Sequence, residues 1–176
     1  TIALDYIRWP AGHSDGYDPP AIAAFQARYG VSPFDIEPTD PRWLQFRADY
    51  ITDFICELRR ELSRLERDVF ISVYVDADPQ QSLSEVSRDW ATWARMGIID
   101  KINLMLYTDD YAAIYNGVRT ARRLAQRHHL RVSATIDCYC GYLYTPQLLR
   151  EGAWVSLLAG ADEVIVCRDG AIERLG

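Results

Sequence analysis

Asp68-Val69-Phe70-Ile71-Ser72-Val73-Tyr74-Val75-Asp76 is the stretch that decides the fold. Residues alternate across a strand, so Val69, Ile71, Val73 and Val75 face one way and Phe70, Ser72, Tyr74 and Asp76 the other. One side is uniformly branched and apolar; the other is mixed and ends in an acid. The pattern recurs over Lys101 to Tyr107, with Ile102, Leu104 and Leu106 opposite Asn103, Met105 and Tyr107. It recurs over Arg131 to Asp137, with Val132 and Ile136 opposite Ser133, Thr135 and Asp137. Glu163 to Cys167 reads as a last strand, and Ile2 to Asp5 as a first one that also ends in a carboxylate.

Between these strands lie helical patterns. Asp40-Pro41 supplies an N-cap and a first-turn proline. Behind it Trp43, Phe46, Tyr50, Ile51, Phe54, Ile55, Leu58, Leu62 and Leu65 form one stripe at three- and four-residue steps. Further helices are expected at Pro20 to Tyr29, at about Leu83 to Met96 with Gly97 as its stop, at Tyr111 to His129, and around Pro146 to Ala159. Phe70, Ile102, Val132 and Val164 recur at the length of a strand-helix unit with a parallel crossover. That predicts an α/β fold with a parallel sheet. A sheet covered by helices on both faces has nearly continuous apolar strands, whereas these alternate, which favours a barrel with helices outside. Five strands are too few to close the usual eight. The expectation is therefore a single domain, residues 1–176, forming the C-terminal part (about strands 4 to 8) of a (β/α)8 TIM barrel. The polar, Gly- and Pro-rich connection at 11–39 is long enough to be a wall or lid of a site.

A chain of 176 residues suits one domain, and 49% hydrophobic with 25% charged residues argues against disorder. The net charge of -6 gives no basis for a nucleic-acid partner. No apolar run approaches the ~20 residues of a membrane span, and no signal peptide is evident. The chain begins on Thr1 inside a strand, so it reads as a piece of a longer protein lacking the N-terminal half of the barrel. Unpaired edges at Ile2 to Asp5 and Glu163 to Cys167 then predict self-association of the fragment. Cys56, Cys138, Cys140 and Cys167 have neither disulfide-framework nor zinc-ligand spacing.

In this phase Asp5, Asp76 and Asp137 point inward at the C-terminal ends of their strands, with Tyr107 at the same level. Asp78, Asp109 and Asp110 follow in the loops. Convergent carboxylates at a barrel mouth provide what glycosidic cleavage needs, one acid for the leaving oxygen and one nucleophile or base. The plainer reading makes Asp109 or Asp110 a helix cap and Asp78-Pro79 a turn. Trp9, Tyr107, Tyr111, Tyr139, Tyr142 and Tyr144 crowd the same end, and flat rings with a polar handle suit sugars. No metal set, phosphate loop, Ser-His-Asp order or dinucleotide fingerprint is present, so no cofactor is expected.

Leu4-Asp5-Tyr6-Ile7-Arg8-Trp9-Pro10, Gly16-Tyr17-Asp18, Trp43-Leu44-Gln45-Phe46-Arg47 with Ile51 and Phe54, Asp89-Trp90 through Trp93 to Gly97-Ile98-Ile99-Asp100, and Met105-Leu106-Tyr107 resemble glycosyl-hydrolase-like family 10. The resemblance runs roughly from Ile2 to Thr108. Trp9 stands where the family has another aromatic, and strands one to three are absent. Its members are bacterial TIM-barrel proteins implicated in cleaving cell-envelope glycans. The resemblance thus implies a glycoside hydrolase acting on a polysaccharide outside the cytoplasm, with Asp5 as a catalytic carboxylate. Arg8 would orient Asp5 or grip a substrate oxygen, and Tyr107 and Asp137 would line a subsite. Strand phase makes Asp76 the acid/base partner, while Trp9, Asp109 and Tyr142 complete the expected sugar contacts. A barrel that binds glycan without cutting it is the competing class. A lyase or isomerase would need a catalytic lysine, and Lys101, the only lysine, starts its strand at the wrong end.

Overall fold

The computed structural model describes residues 1–137 and 145–167. Its strands are β1 (Ile2–Leu4), β2 (Ile71–Asp76), β3 (Lys101–Leu106), β4 (Arg131–Asp137) and β5 (Glu163–Cys167). All neighbours pair in parallel, in the order β1-β2-β3-β4-β5. Six helices are interleaved with them: α1 (Pro19–Tyr29), α2 (Pro41–Leu62), α3 (Pro79–Val86), α4 (Trp90–Met96), α5 (Tyr111–Gln126) and α6 (Pro146–Ala159). The sheet is a curled half-barrel, an α/β arrangement compatible with part of a TIM barrel.

The alternation read from β2 holds. Ile71, Val73 and Val75 are buried in one cluster with Ile102, Leu104, Leu106, Val132 and Ala134, against Trp90, Trp93, Ile114 and Val118 of the helices. Ser72, Asn103, Ser133 and Thr135 are buried on the opposite, concave side, while Phe70 at its lower rim is exposed. The connection at 11–39 is not bare loop. Its α1 and a short 3-10 turn (Pro33–Asp35) build a second core in which Phe25 packs edge-on against both Trp43 and Phe46 of α2. At one point α5 comes very close to the sheet: a Cβ on Gly117 would lie 2.8 Å from the Ala77 side chain.

One expected helix is two. The Leu83 to Met96 pattern breaks at Ser87, whose φ of 48° is left-handed. The Asp89 carboxylate accepts from the Thr92 amide at 3.1 Å and starts α4 afresh. Smaller differences lie at other ends. Helix α2 stops at Leu62 rather than Leu65, α5 at Gln126 rather than His129, and β1 and β3 end one residue early. Asp78, expected in a turn, caps α3 through the Gln80 and Gln81 amides.

Strand β5 is tied to its neighbours by Glu163, which forms an ion pair with Lys101 and accepts from Ser133 Oγ at 2.6 Å. The Lys101 bond, then the Ser133 bond, hold the Glu163 carboxyl below its ordinary 4.5. A depressed folded-state pKa gives stability that is present above the unfolded value and is lost as pH falls through the folded one. Glu163→Gln is therefore expected to flatten the acid limb of a stability-versus-pH curve below about pH 4.5. Urea midpoints of both proteins between pH 3 and 7 would show it, and parallel curves would count against the clamp.

Candidate active site

The site forms where β1 and β2 end. Leu4 pairs with Val73, so Asp5 leaves the sheet beside Tyr74, whereas Asp76 pairs with Met105. Leu106 pairs with Ile136, which puts Tyr107 beside Asp137, a further step up. The expected single level is in fact three levels, at Asp5, Asp76 and Tyr107, separated by two steps of two residues, about 7 Å each along the strand. Neighbouring strands of a barrel are staggered by its shear, and alternation along a single strand does not carry that information.

Asp5 and Asp76 nevertheless open into one cleft of about 480 Å³, together with Tyr6, Arg8, Glu85, Arg88, Met105 and Tyr107. A second recess of about 300 Å³ shares Asp76, Glu85, Met105 and Tyr107 and continues to Asp78 and Thr108. Asp5 is exposed, and its Oδ1 accepts from the Tyr6 amide at 2.8 Å. Tyr6 has a left-handed φ of 55°, a conformation that costs a non-glycine residue of order 1–3 kcal/mol. The turn swings the Tyr6 ring out to 65% exposure, with the Arg8 guanidinium 4.0 Å from its centroid. An aromatic face and a cation thus line the same cleft as Asp5.

Asp76 is held differently. Arg88, only 1% exposed, forms an ion pair with Asp76 Oδ2. Its other donors go to Ser82 Oγ at 2.8 Å and to the Tyr74 carbonyl at 3.0 Å. Burial pushes the Arg88 guanidinium down from its ordinary range, and the charge of Asp76 opposes it. Burial, then the charge of Asp5, pushes the Tyr74 phenol up. An arginine has its fork satisfied on three sides only when backbone and side chains are arranged around it, so Asp76 is fixed in place.

Arg88 and Glu85 are the residues that sequence reading misses. Read as one helix, 83–96 puts both on a solvent face; the break at Ser87 turns Arg88 inward and leaves Glu85 at the rim. The available signal is Asp89 immediately before Trp90, an N-cap residue inside an apparent helix.

The other expected site residues are scattered. Tyr107 lines the cleft. The Trp9 indole turns away, donating Nε1–H to the Arg47 carbonyl at 2.9 Å and lining a separate cavity. Asp109 is exposed and is not among the residues lining the cleft; its neighbour Asp110 caps α5. Asp137 ends β4 with its backbone opposite Cys167. Tyr142, with Tyr139, Tyr144, Cys138 and Cys140, lies outside the described residues.

Two carboxylates from adjacent strands, one rigidly ion-paired and one exposed, with tyrosines and an arginine around them, can bind a polyhydroxylated ligand and exchange protons with it. The family model described as Glycosyl hydrolase-like 10 matches residues 3–142, extending past the last motif quoted above. No curated protein matches the chain.

Proposed function

From the chain's membership of the Glycosyl hydrolase-like 10 family, which makes its function glycosidase-related, we propose that this protein hydrolyses O-glycosidic bonds of a polysaccharide, a cell-envelope glycan in the family's manner. The observation that carries the reading is the shared cleft of Asp5 and Asp76 at the C-terminal end of a parallel half-barrel, the end at which barrel enzymes do their chemistry. Asp5 and Asp76 act as the carboxylate pair. With Arg88 on it, Asp76 is pinned, and Asp5 is the member free to approach a sugar carbon or glycosidic oxygen. Arg8 and Tyr6 form a wall for one sugar and Tyr107 for the next, supplying a charged hydrogen-bond donor and apolar ring faces.

The pinning of Asp76 also supports a second reading, a barrel that holds glycan without cutting it, because an ion-paired carboxylate is an effective hydroxyl acceptor whether or not chemistry follows. Incubating the protein with a panel of polysaccharides, and following new reducing ends beside binding to the same polymers, separates the two. Release of reducing ends that scales with enzyme and time supports hydrolysis. Saturable binding with no release supports the binding barrel, and neither would remove carbohydrate as the ligand.

A further inference from the structure

Trp9 walls a separate cavity of about 220 Å³, together with Gly16, Asp18, Phe46, Arg47 and Tyr50. Arg47 is the unusual member. It sits on the inward face of α2 and is 1% exposed. Among the described residues no carboxylate lies within 4.0 Å of its guanidinium. Its face is used: the Trp9 ring lies 4.9 Å away. One nitrogen is used too, with Nη1 3.4 Å from His13 Nδ1. The remaining edge, Nε and Nη2, is buried and has no acceptor.

That edge has a known use in this same molecule. Arg42 presents Nε and Nη2 together to the Asp40 carboxylate, at 3.0 and 2.8 Å. Two parallel N–H groups in that fork match the two oxygens of a carboxylate. Leaving them buried and unpaired is costly, because a desolvated cation recovers little from an apolar wall. Burial pushes the Arg47 guanidinium down, opposed only by the more distant charges of Tyr17 and Asp15, neither of which is hydrogen-bonded or ion-paired to it among the described residues. Asp18 is exposed, and its Oδ1 is occupied by the Ala21 amide at 3.1 Å.

The size of the space limits the ligand. An apolar cavity of about 150 Å³ takes a benzene ring, and drug-sized molecules need about 300 Å³ or more. One ring carrying one carboxylate fits between these bounds. We propose that this cavity is a binding site for a single-ring carboxylate, whose acid group pairs with Nε and Nη2 of Arg47 and whose ring lies among Trp9, Phe46 and Tyr50. Both donors are covered in the empty pocket, so binding includes a local opening; His13 and Gly16, both with left-handed backbones, lie against Arg47. The ring can belong to an acidic sugar or to an aromatic acid; the two share the chemistry that Arg47 reads. This site does not depend on the proposed hydrolysis.

The test uses glucuronate and benzoate as probes, each beside its neutral counterpart, methyl glucoside and benzamide. Titrations are followed by the Arg47 Nε–H and Trp9 indole N–H resonances. At least one acid is expected to bind saturably, roughly tenfold or more tighter than its neutral counterpart, since a charged bond is lost with the charge. Glucuronate alone identifies an acidic sugar, and benzoate alone an aromatic acid. Equal binding of acid and neutral probe, or no saturable binding by either acid, overturns the proposal. The comparison needs no variant, so it stands even if Arg47→Met fails to fold; where that variant folds, it is expected to lose the acid preference.

Discussion

Replacing Asp5 by Asn is expected to lower glycan turnover by about a hundred- to ten-thousand-fold, the range of a lost proton-transfer group, while glycan binding changes no more than a few-fold. The substitution is nearly isosteric. The side-chain oxygen that accepts from the Tyr6 amide at 2.8 Å can be kept, and with it the left-handed turn that sets Tyr6 and Arg8. What disappears is a negative charge at the mouth of the cleft, on an exposed residue whose removal leaves no buried group unpaired. Initial rates of reducing-end release, set against binding isotherms for the same polymer, would show a fall in kcat with little change in affinity. An Asp5→Asn protein with unchanged kcat would take Asp5 out of the chemistry.

Arg88→Met is expected to cost about 2–3 kcal/mol of stability, because one side chain of similar volume is kept while three hydrogen bonds are lost. The Ser82 hydroxyl and Tyr74 carbonyl each lose their donor there, and Asp76 loses its counter-charge. The larger cost of breaking a fully buried pair does not apply, since the Asp76 side chain is 43% exposed and water can solvate it. For a domain of this size that corresponds to a fall of about 5–10 °C in Tm. Arg88→Lys should fall between, since an ammonium can meet Asp76 but cannot reach the hydroxyl and the carbonyl in the same plane. Thermal unfolding checks both, and a double-mutant cycle with Asp76→Asn isolates the pair. A Met variant with the parental Tm would mean that the fork contributes little.

The two predictions differ in how far they could be read before the fold. Asp5 stands near the start of the most recognisable motif, and a carboxylate after Ile2-Ala3-Leu4 points to a strand tip on its own. Arg88 looks like any charged residue on a helix. Its role depends on a helix break at Ser87 within a segment whose apolar spacing, Val86 to Trp90 to Trp93, runs on as if unbroken. Trp9 illustrates the reverse case. An aromatic at a strand end reads as a sugar platform, yet its indole is committed to the Arg47 carbonyl, 38 residues away.

Alternation with a period of two determined which residues of each strand face the helices, and regular strand spacing determined a parallel sheet in sequential order. Both are local properties, because a one-residue slip would carry every apolar side chain to the wrong face. Strand stagger, the meeting of Asp76 with Arg88, and the separation of Trp9 from the cleft were decided by tertiary structure. Each depends on how far one strand or helix slides along its neighbour. Sliding by two residues preserves the apolar pattern and so leaves no trace in it, but moves a side chain by about 7 Å, more than the length of the hydrogen bonds and ion pairs that make a site.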